Sequence, residues 1–452
     1  MCRPQQQEAK LSAALLRAAD IVYGFPGEAL AIESAARSPD NERLELGSGV
    51  VRTTVHFPCS GERCQAWLYT PRPSHRPPPP VIVMAAGLGV QRDHKLPGIA
   101  EHFASHGYAA LLFDYRGWGG SGGLPRHLVN GRQHVLDYHA AVQHIQSSHG
   151  FDGRIDPGRV VLWGSSYSGG HSLVAASHPG PNQRHIRAVI AMEPYVSGAL
   201  ALKALFSAAL SRSGRMPPSP APATTSPSEP ASAPAPRATH PTVTMNTDQT
   251  MPQLLSVVDG VLRWVRLLGA AAYDAGRGAL GLPAIYIPLV LPDTDVKRNV
   301  TGASGWLQWL YPYHQHLSMG IMPEVDYSTF MSSRPKTMLG GWVNLVAPRL
   351  VWRHLLYSPL AHVEHLSCPV LLIAGGDDTT TTPHSIQTAA EFLRRKERGV
   401  TVEYVEVAGR THISLYNAPQ LLPTMTRLAR VVARPGTPPG SARRPAPTSS
   451  SA

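Results

Sequence analysis

The run Trp163-Gly164-Ser165-Ser166-Tyr167-Ser168-Gly169-Gly170 stands directly after the apolar stretch Val160 to Leu162 and directly before a small-residue helical stretch, Ser172 to Ala176. A strand that turns into a helix within so few residues holds one residue in a strained conformation, and small neighbours let the helix pass close to the strand it leaves. Gly164 and Ser168 are those neighbours of Ser166, whose hydroxyl the turn exposes. The usual spacing is G-x-S-x-G; here the last position is Ser168 with glycines after it, which keeps the bulk low. The same residues also fit a plain glycine-rich turn, so the choice between structure and an exposed nucleophile rests on the rest of the chain.

Short apolar runs alternate with helical stretches before residue 200 and after residue 365, the pattern of an α/β fold with a mostly parallel sheet and helices on both faces. The strands read as Val50 to Phe57 and Cys64 to Tyr69, joined as a hairpin, then Val81 to Ala85, Ala109 to Phe113, Val160 to Trp163, Ala188 to Met192, Val370 to Ala374 and Thr401 to Glu406. Helices are expected from Gly98 to Ser105 and from Gln133 to Ser147. The intervening Trp- and Pro-rich block is assigned to an inserted helical cap over the site. Within it, Leu254, Val257, Val258, Val261, Leu262, Val265 and Leu268 recur at helical period, as on a surface helix covering a core.

Nine prolines fall in the 25 residues from Pro217 to Pro241, a composition too poor in apolar side chains to order itself. The expected organisation is an N-terminal helical segment (1–44), a first core part (45–200), a cap insertion (201–365) with a disordered stretch at about 212–250, a second core part (366–432) and a disordered basic tail (433–452).

A serine hydroxyl needs an imidazole to take its proton, and the imidazole needs an acid to fix its tautomer. Both stand in loops after late strands: Gly375-Gly376-Asp377-Asp378-Thr379 ahead of Pro383, and Gly409-Arg410-Thr411-His412. The order Ser166, Asp378, His412 suits such a fold. Asp378 is chosen over Asp377 because the next helix should begin near Pro383, though a one-residue error stays open, and Glu193 after Ala188 to Met192 is a rarer alternative acid. Ala85-Ala86-Gly87-Leu88-Gly89 turns back after its strand, making the N-H of Leu88, with that of Tyr167, the candidate pair to hold an oxyanion. The segment Phe113-Asp114-Tyr115-Arg116-Gly117 is taken as structural rather than chemical.

Of the 21 histidines, His134, His139, His144 and His149 recur every fifth residue, stepping about 140° around a helix, so they share no metal-binding face and are expected to be solvated. His314 and His316 have no matching Cys, Asp or Glu cluster, and no glycine fingerprint for a nucleotide follows the first strand, so neither metal nor cofactor is expected.

The formal charge of +11 invites a nucleic-acid or anionic-membrane reading, but six arginines and no acid follow Glu406, so much of the excess belongs to the tail and a solubilising role is expected rather than nucleic-acid binding. Four cysteines are too few for a disulfide framework; Cys59 and Cys64 flank a short turn and could pair, yet reduced thiols are expected. No stretch reaches about 18 uninterrupted apolar residues, so no membrane span is expected, and the start lacks the pattern of a secretory signal, which favours the cytoplasm.

These residues together resemble the α/β-hydrolases related to fungal polyketide transferases, themselves similar to Xaa-Pro peptidase-like and dienelactone-hydrolase-like serine hydrolases. The matches are Gly87-Leu88-Gly89, Phe113-Asp114-Tyr115-Arg116, the run from Trp163 to His171, Tyr286-Ile287-Pro288-Leu289-Val290, Trp342-Val343-Asn344 and Cys368-Pro369-Val370-Leu371. Departures are Ala86, where many relatives carry His, the extra threonine before Pro383, Arg410-Thr411 before His412, and the Pro-rich insertion. The resemblance implies Ser166, Asp378 and His412 as a triad acting on a small-molecule acyl ester or thioester, with water or an alcohol as acceptor. Hydrolysis is the first expectation, an acyltransferase of secondary metabolism the second, and a non-catalytic binding protein of the same fold the third. Trp264, Trp306, Trp309, Trp342 and Trp352 in the cap suggest an apolar acyl pocket.

Overall fold

The runs Val81 to Ala85, Ala109 to Phe113 and Val370 to Ala374 carry no polar side chain, so both faces of the strands they form must be covered. In the computed structural model, which describes residues 25–26, 42–72, 77–200, 250–287, 289, 345–395 and 400–432, they are inner strands of a nine-stranded sheet. Numbered along the chain, the strands are β1 (Phe25–Pro26), β2 (Arg43–Glu45), β3 (Val50–Cys59), β4 (Glu62–Pro71), β5 (Pro80–Ala85), β6 (Ala109–Phe113), β7 (Asp156–Ser165), β8 (Ile186–Met192), β9 (Ile285–Tyr286), β10 (Val370–Gly375) and β11 (Val402–Val407). The sheet runs β11-β10-β8-β7-β5-β6-β4-β3-β2. It is parallel from β11 to β6 and antiparallel from there to β2. β1 and β9 pair separately.

The helices are α1 (Leu96–Ser105), α2 (Gly131–Ser147), α3 (His149–Gly153), α4 (Tyr167–Ser177), α5 (Thr250–Ala279), α6 (Leu350–Leu356), α7 (Pro383–Arg395) and α8 (Leu421–Val432). α1 buries Leu96, Ile99, Ala100, Phe103 and Ala104, and α7 buries Ile386, Ala389, Ala390 and Leu393, both at the spacing of one helical face. Because strand side chains alternate, the sheet has two cores. Val83, Leu111, Leu162 and Leu372 pack with residues of α2, α4 and α7, whereas Ile82, Leu112, Trp163 and Ile373 pack with α1 and α8.

Every strand expected between Val50 and Glu406 is present, with shifted ends; the short β2, β1 and β9 carry too little pattern to be read from sequence. The helix read around Leu254 to Ala272 is longer, and its described buried face is Leu267, Ala270, Ala271 and Asp274, while Val265 is 61% exposed. The phase is set by Asp274, fully buried in a two-pronged pair with Arg349 (2.6 and 2.9 Å). From the segment assigned to a cap, Leu345, Val346, Leu350 and Val363 enter the core shared by β5, β7 and β10. The Pro-rich stretch, the tail, His314, His316, Trp306, Trp309 and Trp342 lie outside the described residues. Trp264 packs against that core and Trp352 is 38% exposed. Among the described residues, no helix is long and apolar enough to cross a membrane.

Two expectations are corrected. Cys59 and Cys64 are joined in a disulfide rather than reduced, because β3 and β4 pair Cys59 with Glu62 and bring the two Cα atoms to 5.8 Å across the hairpin end. The four periodic histidines are not all solvated. His134 is buried, with its ring stacked on Tyr115 at 3.9 Å between centroids; His139 and His144 are half-buried and His149 is exposed. A 140° step puts successive side chains on different faces, and that of His134 is turned inward against Tyr115 and His171.

Burial pulls the imidazole of His134 down to about 3 and those of His127 and His354 to about 4. The unfolded chain binds these protons near pH 6.5, so their contribution to stability is complete above that pH and is lost as pH falls toward the folded values. Each buried imidazole adds a slope of about 1.4 kcal/mol per pH unit in that window. Thermal melts at constant ionic strength are expected to show a melting temperature that falls steadily from pH 6.5 to pH 4.5 and is flat between pH 7 and 8.

Candidate active site

The loops after the parallel strands meet at one end of the sheet, and β7 lies between β5 and β8 in its middle. Leaving β7, the chain turns at Ser166 with φ 53° and ψ −122°, a conformation rare for a residue with a Cβ. The turn is so tight that a Cβ on Gly164 would lie 2.2 Å from the Ser168 carbonyl oxygen. Backbone bonds hold it: the Ser166 amide donates to the Met192 carbonyl (2.8 Å), and the Ser166 carbonyl accepts from Gly169 and Tyr195 (2.9 Å each) and more weakly from Gly170 (3.4 Å).

Ser168, which stands where glycine is usual, is buried with its hydroxyl 2.6 Å from that of Tyr115 and 2.8 Å from that of Tyr138. Tyr138 in turn donates to the Trp163 carbonyl at 2.6 Å. The hydroxyl thus joins β7, α2 and the loop after β6, a use of this position that spacing alone does not reveal.

His412 follows β11 and reaches back over the turn. Its Nε2 is 3.0 Å from Ser166 Oγ and its Nδ1 is 2.7 Å from Asp378 Oδ2. The chain is thus folded so that Ser166 forms one hydrogen-bonded line with two residues more than two hundred positions further along. Asp378 is buried; the adjacent Asp377 is exposed, and its amide is bonded to the Arg410 carbonyl at 2.9 Å. Asp378 also accepts from the amides of Thr380 (2.7 Å) and Thr381 (3.0 Å) and from the Thr381 hydroxyl (2.8 Å). Burial alone would raise its pKa, but the charge and hydrogen bond of His412 and the bonds from Thr381 outweigh it and hold Asp378 below the usual carboxylate value. It is therefore an anion, able to accept from Nδ1 and to leave Nε2 as the acceptor for the serine proton.

Gly87 brings the loop after β5 against the turn: a Cβ there would sit 3.0 Å from Ser166 Cβ and 3.6 Å from Oγ. Leu88 follows Gly87, and Tyr167 opens α4 directly after Ser166. The two backbone segments chosen from sequence therefore flank the serine. The loop of Leu88 is anchored by Arg92, whose amide donates to Asp114 Oδ1 at 2.7 Å and whose buried guanidinium pairs with Asp114 Oδ2 while lying 4.5 Å from the Trp67 ring centroid. The Asp114-Tyr115 segment, read as structural, thus supports both sides of the site, through Arg92 and through Ser168.

Among the described residues, two groups have the composition of a metal site: Cys59, Cys64 and Asp137, and Glu193, Asp378 and His412. In the first the sulfurs are bonded to each other, and in the second the imidazole is already engaged by Asp378 and faces Ser166.

Sheet order, strained serine turn and the placing of the acid and histidine loops are those of an α/β-hydrolase, and that is the fold of this chain. Residues 60–238 match the model of the X-Pro dipeptidyl-peptidase (S15) family. The chain is 41% identical over 144 residues to the quorum-quenching protein AidA of Acinetobacter baumannii, covering 32% of this chain and 44% of that one. It is 34% identical over 117 residues to the thiohydrolase aneE of Aspergillus aculeatus (26% and 34%) and 31% identical over 150 residues to the polyketide transferase grgF of a Penicillium species (33% and 47%). The matched region thus spans less than half the length of these curated relatives. The crystal structure of the Penicillium α/β-hydrolase GrgF superposes with a TM-score of 0.55 at 18% identity, covering 84% of this chain and 99% of that one.

Replacing Asp114 with Ala leaves a buried guanidinium without its carboxylate, at an expected cost of about 3–5 kcal/mol. A lower urea midpoint with an unchanged slope is the expected result; an unchanged midpoint would show that Arg92 finds another partner.

Proposed function

We propose that this protein is a serine hydrolase that cleaves a small-molecule ester or thioester through an acyl-enzyme on Ser166. The observation that carries this reading is the unbroken line from Asp378 Oδ2 through His412 to Ser166 Oγ, at 2.7 and 3.0 Å. In it, His412 Nε2 takes the proton of Ser166 as Oγ bonds to the acyl carbon, and the carbonyl oxygen becomes an oxyanion. The Leu88 and Tyr167 amides receive that oxyanion; a single such donor is worth about 10²–10³-fold in turnover. Collapse breaks the bond to the alcohol or thiol, which leaves with the proton from His412. Water then adds to the acyl-enzyme with His412 again as base, releasing the acid and restoring Ser166.

A second reading replaces the water with an alcohol, making the enzyme an acyltransferase, and the likeness to the polyketide transferase grgF favours it. The chemistry up to the acyl-enzyme is common to both, so product analysis with and without candidate alcohols separates them.

Labelling of the purified protein with a fluorescent fluorophosphonate is expected to occur at Ser166 and to vanish in Ser166→Ala and His412→Ala. A folded parent that does not label would replace this reading with a non-catalytic one. Asp378→Asn is expected to slow labelling by a factor on the order of 10³–10⁴, and Asp377→Asn by no more than about twofold. The reverse ranking would assign the orienting acid to Asp377.

A further inference from the structure

Asp378 is not the only carboxylate at the His412 imidazole. Glu193, the first residue after β8, is fully buried, and its Oε2 lies 3.9 Å from His412 Nδ1. One oxygen of each carboxylate and one ring nitrogen lie within 4.8 Å of one another. We propose that Glu193 is a second carboxylate partner of His412, a positioning residue that steadies and stabilises the imidazolium alongside Asp378. This rests on the reading of Ser166, His412 and Asp378 as a working triad.

The backbone holds Glu193 in this place at some cost. Its φ is +43°, in the left-handed region that a residue with a long side chain seldom adopts, and Pro194 follows it. Its amide donates to the Ile373 carbonyl at 2.6 Å, which fixes it to the strand leading to Asp378. Its carbonyl lies 3.1 Å from the Thr381 hydroxyl, which donates to Asp378 Oδ2 (2.8 Å) and lies 3.3 Å from His412 Nδ1. One threonine therefore gathers both acid-bearing segments around one imidazole nitrogen.

A carboxylate taken wholly out of water needs a hydrogen-bonding or cationic partner. Among the described residues, the groups facing His412 include Asp378 and Thr381 from the loop after β10, Glu193 from the end of β8 and Ser166 from the serine turn. Tyr416, on the loop of His412 itself, lies beside Glu193 and donates to Ser165 at 2.6 Å. Of the groups named here, the imidazole becomes a cation when Ser166 gives up its proton, and Glu193 then faces that charge at 3.9 Å. Glu193 is too far from Nδ1 to hold its proton in the resting state, so its effect is on the charge that develops there.

The test is the second-order rate of fluorophosphonate labelling at Ser166 from pH 4.5 to 9, in the parent and in Glu193→Gln. Glutamine keeps the shape and the hydrogen-bonding capacity but removes the charge. The expected result is about a tenfold slower rate at pH 7.5 and an acidic limb displaced by at least about half a pH unit toward lower pH. A purely structural Glu193 would change the melting temperature and leave the position of that limb where it was, which would overturn the proposal. Should Glu193→Gln not fold, Glu193→Asp decides: it keeps the charge but draws it away from Nδ1, so a labelling rate lowered several-fold at pH 7.5 with the acidic limb displaced toward lower pH is expected, and a profile superimposable on that of the parent overturns the proposal. A folded parent that does not label at Ser166 refutes the hydrolase reading itself; a parent that labels, beside a Glu193→Gln profile superimposable on it, refutes only the role of Glu193.

Discussion

Backbone hydrogen bonds between neighbouring parallel strands do not stop where the strands end. Beyond the ladder, Ser166 N-H donates to Met192, Glu193 N-H to Ile373, and Asp377 N-H to Arg410, at 2.8, 2.6 and 2.9 Å. These three bonds step across β7, β8, β10 and β11 in the order of the sheet. The first two fix a loop residue to the neighbouring strand and the third joins two loops, and those loops carry Ser166, Glu193, Asp378 and His412. A line of side chains with contacts of 2.7 and 3.0 Å requires backbone held to similar tolerance, and the extended ladder supplies it.

Polar groups buried beneath the loops give a second level of support. Ser168 ties the serine turn to Tyr115 and Tyr138, and Asp114 ties the loop of Leu88 to the turn after β6 through Arg92. Such networks are rigid when satisfied and costly when broken, so the packing below the site resists small displacements of the Ser166 turn and the Leu88 loop. Around Tyr167 the wall is aromatic: Tyr195, His354 and Tyr357 lie with ring centroids 5.0, 5.4 and 5.6 Å from its own. Burial keeps His354 neutral at ordinary pH and the phenols protonated, so this wall carries dipoles but no charge.

Much of this was legible from local pattern. The parallel strands are continuous apolar runs, the serine turn is a cluster of small residues between a strand and a helix, and the acid and histidine each follow a late strand. Asp378 could be preferred over Asp377 because Pro383 marks where a helix begins, and α7 does begin there. The buried face of α5 was not legible, because Asp274, a polar residue paired with Arg349, takes an inward position and Val265 points out. The burial of His134 and the pairing of Cys59 with Cys64 were missed for a related reason: each depends on what a neighbouring element presents, not on the residue's own spacing.

Sequence by itself determined the α/β architecture and singled out Ser166, Asp378 and His412 as candidates, since periodicity and turn composition are local properties of the chain. Only the tertiary structure decided which atoms meet. The 3.0 Å contact of His412 with Ser166, the 3.9 Å approach of Glu193 and the bridging of Thr381 join segments far apart in the chain, and strand order in the sheet, which no local pattern encodes, brings them together.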